Sequence, residues 1–390
     1  MDIDNLAYAL NTFYFLVSAV LVMWMAVGFA MLEAGSIRSK NVGDILLKNI
    51  AMYSIASLTF LFVGYELMYG HWSEPEDHSL MSDFFFQVVC VAAAMSIMSG
   101  VVAERKKLWP FLVFACFFTA VLFPIQGAWS WGGGWLNEIG FVDVSGAGVV
   151  HLAGASAALA GLLLIGARIG KYNEDGSVNC IEQSSSVQMT LGVFILWMGW
   201  FGFNGGSQLS IIGSDNAESV SYAFVNTNVA AASGLISAMI FSQFVLGRPA
   251  LSMALNGALA GLVVITADPV SPSPEYAALF GVIGGLIVSY FSIKIDNWGL
   301  DDPVNGLAVH GVGGIVGLML VPLLNTNATF LSQLIGLAAI VVFIFLSSLI
   351  FLYVFGKITP LRVSKSEELE GSDIFSMHTH GSHKNYDNKF

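Results

Sequence analysis

Charge is what this 390-residue chain has least of: charged residues make up 11% of it, against 56% apolar residues. A soluble domain carries about a quarter of its residues as charge, so a water-soluble globule is excluded. The few charges lean acidic, 15 Lys and Arg against 27 Asp and Glu, and no nucleic-acid partner is expected. Cysteine is scarce. Cys90, Cys116 and Cys180 suggest neither a disulfide framework nor a metal site. No basic segment precedes the first apolar stretch, which runs straight into GSIRSKN, so we expect no cleavable leader.

Apolar stretches of about 18 residues, the length of a membrane crossing, fill the chain instead. Eleven are expected, beginning near Leu6, Leu46, Phe84, Leu108, Val144, Met189, Val220, Ala250, Ala277, Val304 and Phe330. The fold class is then an all-α polytopic membrane protein. A membrane domain covers residues 1–362 and a polar tail covers 363–390. All fifteen cations fall on the side of the loops after spans 1, 3, 5, 7 and 9 and of the tail, with Lys48 at the same-side end of span 2. The positive-inside rule puts the amino terminus outside and the carboxyl terminus in the cytoplasm. The outer half keeps thirteen acids and no Lys or Arg, a field that concentrates cations.

One pattern occurs twice, 159 residues apart. Asp143 precedes His151 by eight positions in DVSGAGVVHLAG, and Asp302 precedes His310 by eight in DPVNGLAVHGVG. Eight helical residues rise about 12 Å, close to half the hydrocarbon thickness. Each Asp can then sit at a membrane surface with its His near the midplane. Span 5 runs inward and span 10 outward, so the two units are antiparallel. We read an inverted repeat of five spans plus five, with the eleventh as an extra helix.

Within the apolar cores the two histidines are the ionisable groups, apart from Glu66 and Lys48 near span ends. Such groups are costly in a membrane interior and mark function. A single His could simply bond a backbone carbonyl; two at matched positions point to a shared role. Two neutral imidazoles offer one donor and one acceptor each, so they can share a proton and line a polar track. A metal would need a third or fourth ligand, which the spans do not supply. Asp143 and Asp302 read as carboxylates capping the first helical turn. Aromatics gather toward the outer side at Trp129, Trp131, Trp135, Trp200, Phe201 and Phe203, most of them as an interfacial belt. Trp131 stands apart, in a Gly-rich turn beside Asp143, where an indole face can bind a small cation. Ser207 is placed to accept a hydrogen bond from it.

These residues resemble the ammonium transporter (Amt/Mep/Rh) family. The matching blocks are FAMLEAGSIRSKN (29–41), AER (103–105), WGGG (131–134), the Asp-to-His unit at 143–151, GWFGFNGGS (199–207), AFVNT (223–227) and DDP…VHGVGGIVG (301–317). The resemblance implies homotrimers of eleven-helix subunits, each with its own pore and no cofactor. It implies a vestibule in which Trp131 and Ser207 recruit ammonium, supported by Asp143. It also implies a gate containing Phe203 and a hydrophobic pore lined by His151, His310 and Trp200. Trp131 and Ser207 place the chain on the Amt/Mep branch. The resemblance further implies a PII-type signalling protein as a possible partner at the cytoplasmic face.

Three positions depart from the family pattern. The second gate phenylalanine falls on Cys90, so Phe86 is a candidate to complete the gate. Position 305 is Asn where Asp is common, and Glu66 stands where a small polar residue is expected. His378, His380 and His383 in the tail read as a polar end rather than a metal site. Two other readings stay open: an ammonium sensor with little flux, kept alive by Cys90 and Glu66, and an Rh-type gas channel, which Trp131 and Ser207 oppose.

Overall fold

The computed structural model describes residues 3–70, 72 and 75–376. The tail histidines lie outside the described residues. Among the described residues nine helices are long and apolar enough to cross a membrane: α1 (Ile3–Ser36), α2 (Ser39–Tyr69), α3 (Leu80–Val101), α4 (Leu108–Glu138), α5 (Ala147–Ile165), α6 (Ser186–Gly206), α7 (Ser214–Leu246), α9 (Pro274–Asn297) and α11 (Phe330–Phe355). Two further apolar helices, α8 (Leu251–Thr266) and α10 (Leu307–Leu323), are shorter than the 18-residue stretches expected from the sequence. Each has a physical stop. Asp268 and the prolines at 269 and 272 follow α8, and Pro322 closes α10 with a tight last turn.

Local chemistry sets the helix ends. The Ser79 hydroxyl caps α3 and the Ser185 hydroxyl caps α6. Thr329 and Ser332 form a reciprocal cap on α11. Gly247 ends α7 with φ +76°, a left-handed conformation that glycine adopts at little cost. Packing between helices relies on missing side chains, as expected where lipid supplies no hydrophobic drive. A Cβ on Gly261 or Gly281 would collide with the Ala230 carbonyl of α7, and one on Gly192 of α6 would strike the backbone of α1 at Leu32.

α1 packs along α6, and α7 packs against both α8 and α9. The centre holds α3, α5, α8 and α10, in each of which most residues are buried. α7 and α11 show broad apolar faces to the surroundings, including Phe244, Val245, Leu331 and Ile350. Such a belt suits a lipid or subunit contact and no aqueous one.

At the end that carries the cations, buried ion pairs lock the loops together. Arg168 grips Asp301 through Nε (2.8 Å) and Nη2 (2.7 Å), and its Nη1 meets Glu104 at 2.5 Å. Arg105 donates to the carbonyls of Asp301, Gly166 and Ala103. Glu104 also accepts from Asn41 at 2.7 Å and from Arg38. The family-like AER and DDP blocks are therefore the knots of this network.

The first part of the tail is docked on the same end. Arg362 donates to the carbonyls of Ile165 and Ala167, and pairs with Glu368 at 2.8 Å. Asp373 accepts from the amides of Gly43 (2.9 Å) and Asp44 (2.8 Å), at the start of α2. An acid at a helix N-terminus meets unpaired N–H groups and the positive end of the dipole.

Burial alone would raise the Asp301 carboxyl, but the hydrogen bonds and charge of Arg168, with the charge of Arg105, hold it at about 2. A carboxyl lowered below its unfolded value near 3.9 stabilises the fold fully above that value. We therefore expect the melting temperature of the purified protein to fall as pH drops from about 4 toward 2. Asp301→Asn, which leaves a buried guanidinium short of its partner, should cost about 3 kcal/mol. Thermal unfolding in detergent measures both effects, and an unchanged melting temperature in the variant refutes the locking role.

Candidate functional site

The two halves of the repeated pattern converge. His151 lies in the first turns of α5 and His310 in the first turns of α10. Their rings stack with centroids 5.1 Å apart at 22°, and Nδ1 faces Nδ1 at 3.2 Å. One imidazole donates and the other accepts. Both rings are buried. Each sits in a π-helical opening, at 147–152 and 307–312, where the backbone is widened by one residue per turn. The His151 amide, for example, reaches back five residues to the Gly146 carbonyl at 3.0 Å. Openings of this kind are frequent at functional sites, because they re-aim side chains.

Both Asp residues cap as expected. Asp143 accepts from the amides of Gly146 (3.2 Å), Gly148 (2.9 Å) and Val149 (2.8 Å). Asp302 accepts from Val304 (3.2 Å) and Leu307 (2.7 Å). Burial pushes the Asp143 carboxyl up to about 6, against the downward pull of amides from Val149, Gly148, Ala147 and Gly146. Asn305 has φ +57°, a left-handed conformation that Asn tolerates better than most residues. That is a backbone reason for Asn at this position.

An open cavity of about 450 Å³ lies beside Asp143. Its walls include Phe15, Phe86, Gln87, Trp131, Asp143 and Ser207. Trp131 Nε1 donates to the Asp143 carbonyl at 2.9 Å, which fixes the indole plane. Gly146, with φ +99°, makes room for that indole: a Cβ there would sit 3.0 Å from the Trp131 ring. Ser207 Oγ donates to the Phe203 carbonyl at 2.8 Å, which leaves its lone pairs to accept from a guest.

Phe203 is buried with its ring centroid 5.6 Å from that of His151, and its carbonyl accepts from Ser207 of the cavity wall. Trp200 stacks on His151 at 5.1 Å and 20°. Its Nε1 donates to Thr266 Oγ1 (2.8 Å), which lies 3.1 Å from Asn204 Oδ1, and Asn204 donates to Thr227 (2.8 Å). A buried chain of bonds across α6, α7 and α8 thus fixes the aromatic that backs the imidazole. Thr266, Asn204 and Thr227 were not singled out by sequence. Asn204 and Thr227 lie inside GWFGFNGGS and AFVNT, so the signal was present only as motif membership.

Phe86 lines the cavity and meets Phe15 edge to face at 5.8 Å. Cys90 is buried one turn further along α3. Glu66 is exposed and is not among the cavity walls.

The sequence also hid an ion pair. Lys48, near a span end, is fully buried, with Nζ at 2.5 Å from Glu33 and 3.2 Å from the Ser99 carbonyl. Glu33, inside α1, joins the histidines as an ionisable group of the apolar interior. Among the described residues no set of His, Cys, Asp and Glu converges to hold a metal ion.

The chain matches the model of the Ammonium Transporter Family over residues 13–382. It is 37% identical to ammonium transporter Amt2 of Archaeoglobus fulgidus, over 92% of this chain and 85% of that one. It is 36% identical to a putative ammonium transporter of Synechocystis, over 96% of this chain and 89% of that one. Among solved structures it is similar to a sensor Amt protein, with TM-score 0.91, 34% identity, and 95% and 99% coverage. It is also similar to Mep2 of Candida albicans, with TM-score 0.84, 26% identity, and 94% and 89% coverage. Matched along nearly its whole length and carrying the paired imidazoles at its centre, this membrane protein belongs to the Ammonium Transporter Family.

Proposed function

We propose that the chain recruits ammonium at the Trp131 cavity, removes a proton there, and conducts neutral ammonia past the histidine pair. The observation that carries this reading is the stack of Phe203, Trp200, His151 and His310 beneath an open, acid-backed aromatic cavity. A full charge stripped of water in an apolar track is prohibitive, whereas a small neutral amine passes. The cavity therefore takes the cation by the Trp131 face and the Ser207 oxygen, with Asp143 beneath contributing negative potential. Phe203 and Phe86 act as the gate, Cys90 widens it where a second ring is usual, and His151, His310 and Trp200 line the pore.

The same reading assigns eleven crossings. The short α8 and α10 count among them, since the π-helical openings, the Asp caps and the histidines match between α5 and α10 as an inverted repeat requires. The cavity end faces outside and the cation-rich end faces the cytoplasm. The protein acts at the plasma (inner) membrane. Exposed apolar faces suit a homotrimer, and the docked tail with its neighbouring loops forms the surface for a PII-type partner. A receptor that binds ammonium with little flux is the second reading. Its support is the likeness to a sensor Amt protein together with Cys90. Ammonium flux and current measured together on proteoliposomes decide: flux supports conduction, and binding with no flux supports the receptor.

Three outcomes follow from the named residues. Trp131→Leu should raise the half-saturating ammonium concentration about tenfold, the equivalent of a cation–π contact of about 1.4 kcal/mol; an unchanged value refutes the recruitment role. His151→Ala or His310→Ala should alter flux or methylammonium discrimination in protein that still assembles. Flux and discrimination equal to wild type in both variants would remove the pair from the mechanism. Asp143 is ionised above pH about 6. Flux at saturating ammonium should therefore decline below that pH, and Asp143→Asn should lower it at pH 7 and flatten the profile.

A further inference from the structure

We infer that Glu33 is the residue through which protons leave the histidine pair toward the cation-rich end. The inference rests on the conduction reading above. A second cavity lies on the far side of the pair from Trp131. It is lined by His310, Phe29, Glu33, Ser96, Gly100 and Val304, among others, and its free space of about 10 Å³ suits a single water molecule. One small chamber therefore touches both an imidazole of the pair and a buried carboxylate.

The carboxylate is built to stay there. Ser99 Oγ donates to it at 2.8 Å and Lys48 Nζ lies at 2.5 Å. Gly100 keeps the space beside it open, since a Cβ would sit 3.3 Å from Glu33 Cγ and collide with Val304. Stability alone does not call for such a pair, because well-packed apolar residues of similar volume are often as stable or more so. Its place is the informative part. Glu33 is the acidic side chain among the walls of this chamber, and it lies in the last turn of α1, next to the loop at the cation-rich end. Lys106 paired with Asp44 at 2.8 Å is the other charged group close by, and that pair is neutral overall.

The step balances in protons alone. The imidazolium N–H bond of His310 breaks and the proton passes to the chamber water, while that water passes one of its own protons to a Glu33 oxygen. His310 becomes neutral, and the carboxylate becomes a carboxyl beside Lys48, which keeps its charge. The new O–H bond then releases its proton to water at the cation-rich end, and the ion pair re-forms. No electron pair leaves any residue, and ammonia moves separately as a neutral molecule.

Proteoliposomes holding the full chain test this with two parallel readouts after an ammonium jump: charge displacement on a solid-supported membrane, and ammonia entry as luminal pH change. Wild type should give both. Glu33→Asp keeps the ion pair and withdraws the carboxylate by one methylene. Glu33→Gln combined with Lys48→Met removes both charges, so no buried cation is left unpaired. The ratio of charge to ammonia should fall several-fold in the first variant and at least tenfold in the second. A purely structural role would scale both readouts together and leave the ratio as in wild type, which would overturn the assignment. Wild-type ammonia entry without charge movement would overturn it too, yet leave the conduction reading standing. Absence of both signals in wild type would bring down the conduction reading itself.

Discussion

Two imidazoles buried in the apolar interior have no bulk water to bond, and they share one hydrogen bond while His151 Nε2 has no partner among the described residues. The Nδ1–Nδ1 contact at 3.2 Å satisfies one nitrogen of each ring. It forms only if two helices present their histidines at one depth and angle. The π-helical openings at 147–152 and 307–312 supply the angle, and the Asp143 and Asp302 caps fix where each helix begins. Trp200, held through Thr266, Asn204 and Thr227, supplies the flat wall behind His151. Loss of any one of these lets a ring rotate. The cost is then not one hydrogen bond but an unpaired nitrogen in an apolar site, about 1–3 kcal/mol.

The two ends of the molecule meet opposite demands. At the cavity end, Asp143 has its oxygens turned into a helix start and its backbone carbonyl turned to Trp131. One residue thereby fixes both the start of α5 and the aromatic surface beside it. At the other end, Arg105, Arg168, Glu104 and Asp301 join the loops that follow α3, α5 and α9. Each of the four side chains in this network is hydrogen-bonded, as buried charge requires. The docked tail extends it through Arg362, Glu368 and Asp373. The tail thereby ties the end of α5 to the start of α2.

Most of this was legible where chemistry repeats or where composition is extreme. Hydropathy alone pointed to the all-helical class, and the equal Asp-to-His spacing pointed to the paired rings. Most helix starts lie within four residues of those expected, whereas α2 and α7 begin seven and six residues earlier. What stayed hidden depends on partners far apart in sequence. The pairing of Lys48 is invisible in sequence because Glu33 sits in another helix and Ser99 is 51 residues away. Glu33 itself lay in FAMLEAGS, at the boundary of an apolar stretch, where an acid attracts no notice. The residues behind Trp200 are ordinary Asn and Thr, and only the crossing of α6, α7 and α8 makes them a chain. The tail segment is polar and short. Nothing local foretells that Asp373 finds two free amides of α2.

The geometry of the pair also limits how many protons it can hold. Two imidazolium rings with nitrogens 3.2 Å apart would repel by about 5 kcal/mol at an effective dielectric constant near 20. The pair therefore carries at most one extra proton at a time. In a conducting cycle, a second ammonium can give up its proton to the pair only after the first proton has gone. Return to the cavity end would undo the deprotonation, so net charge movement needs an exit on the opposite side. The chamber bounded by His310 and Glu33 lies on that side. If protons leave there, a conducting cycle is bounded by how fast one carboxyl releases its proton past Lys48.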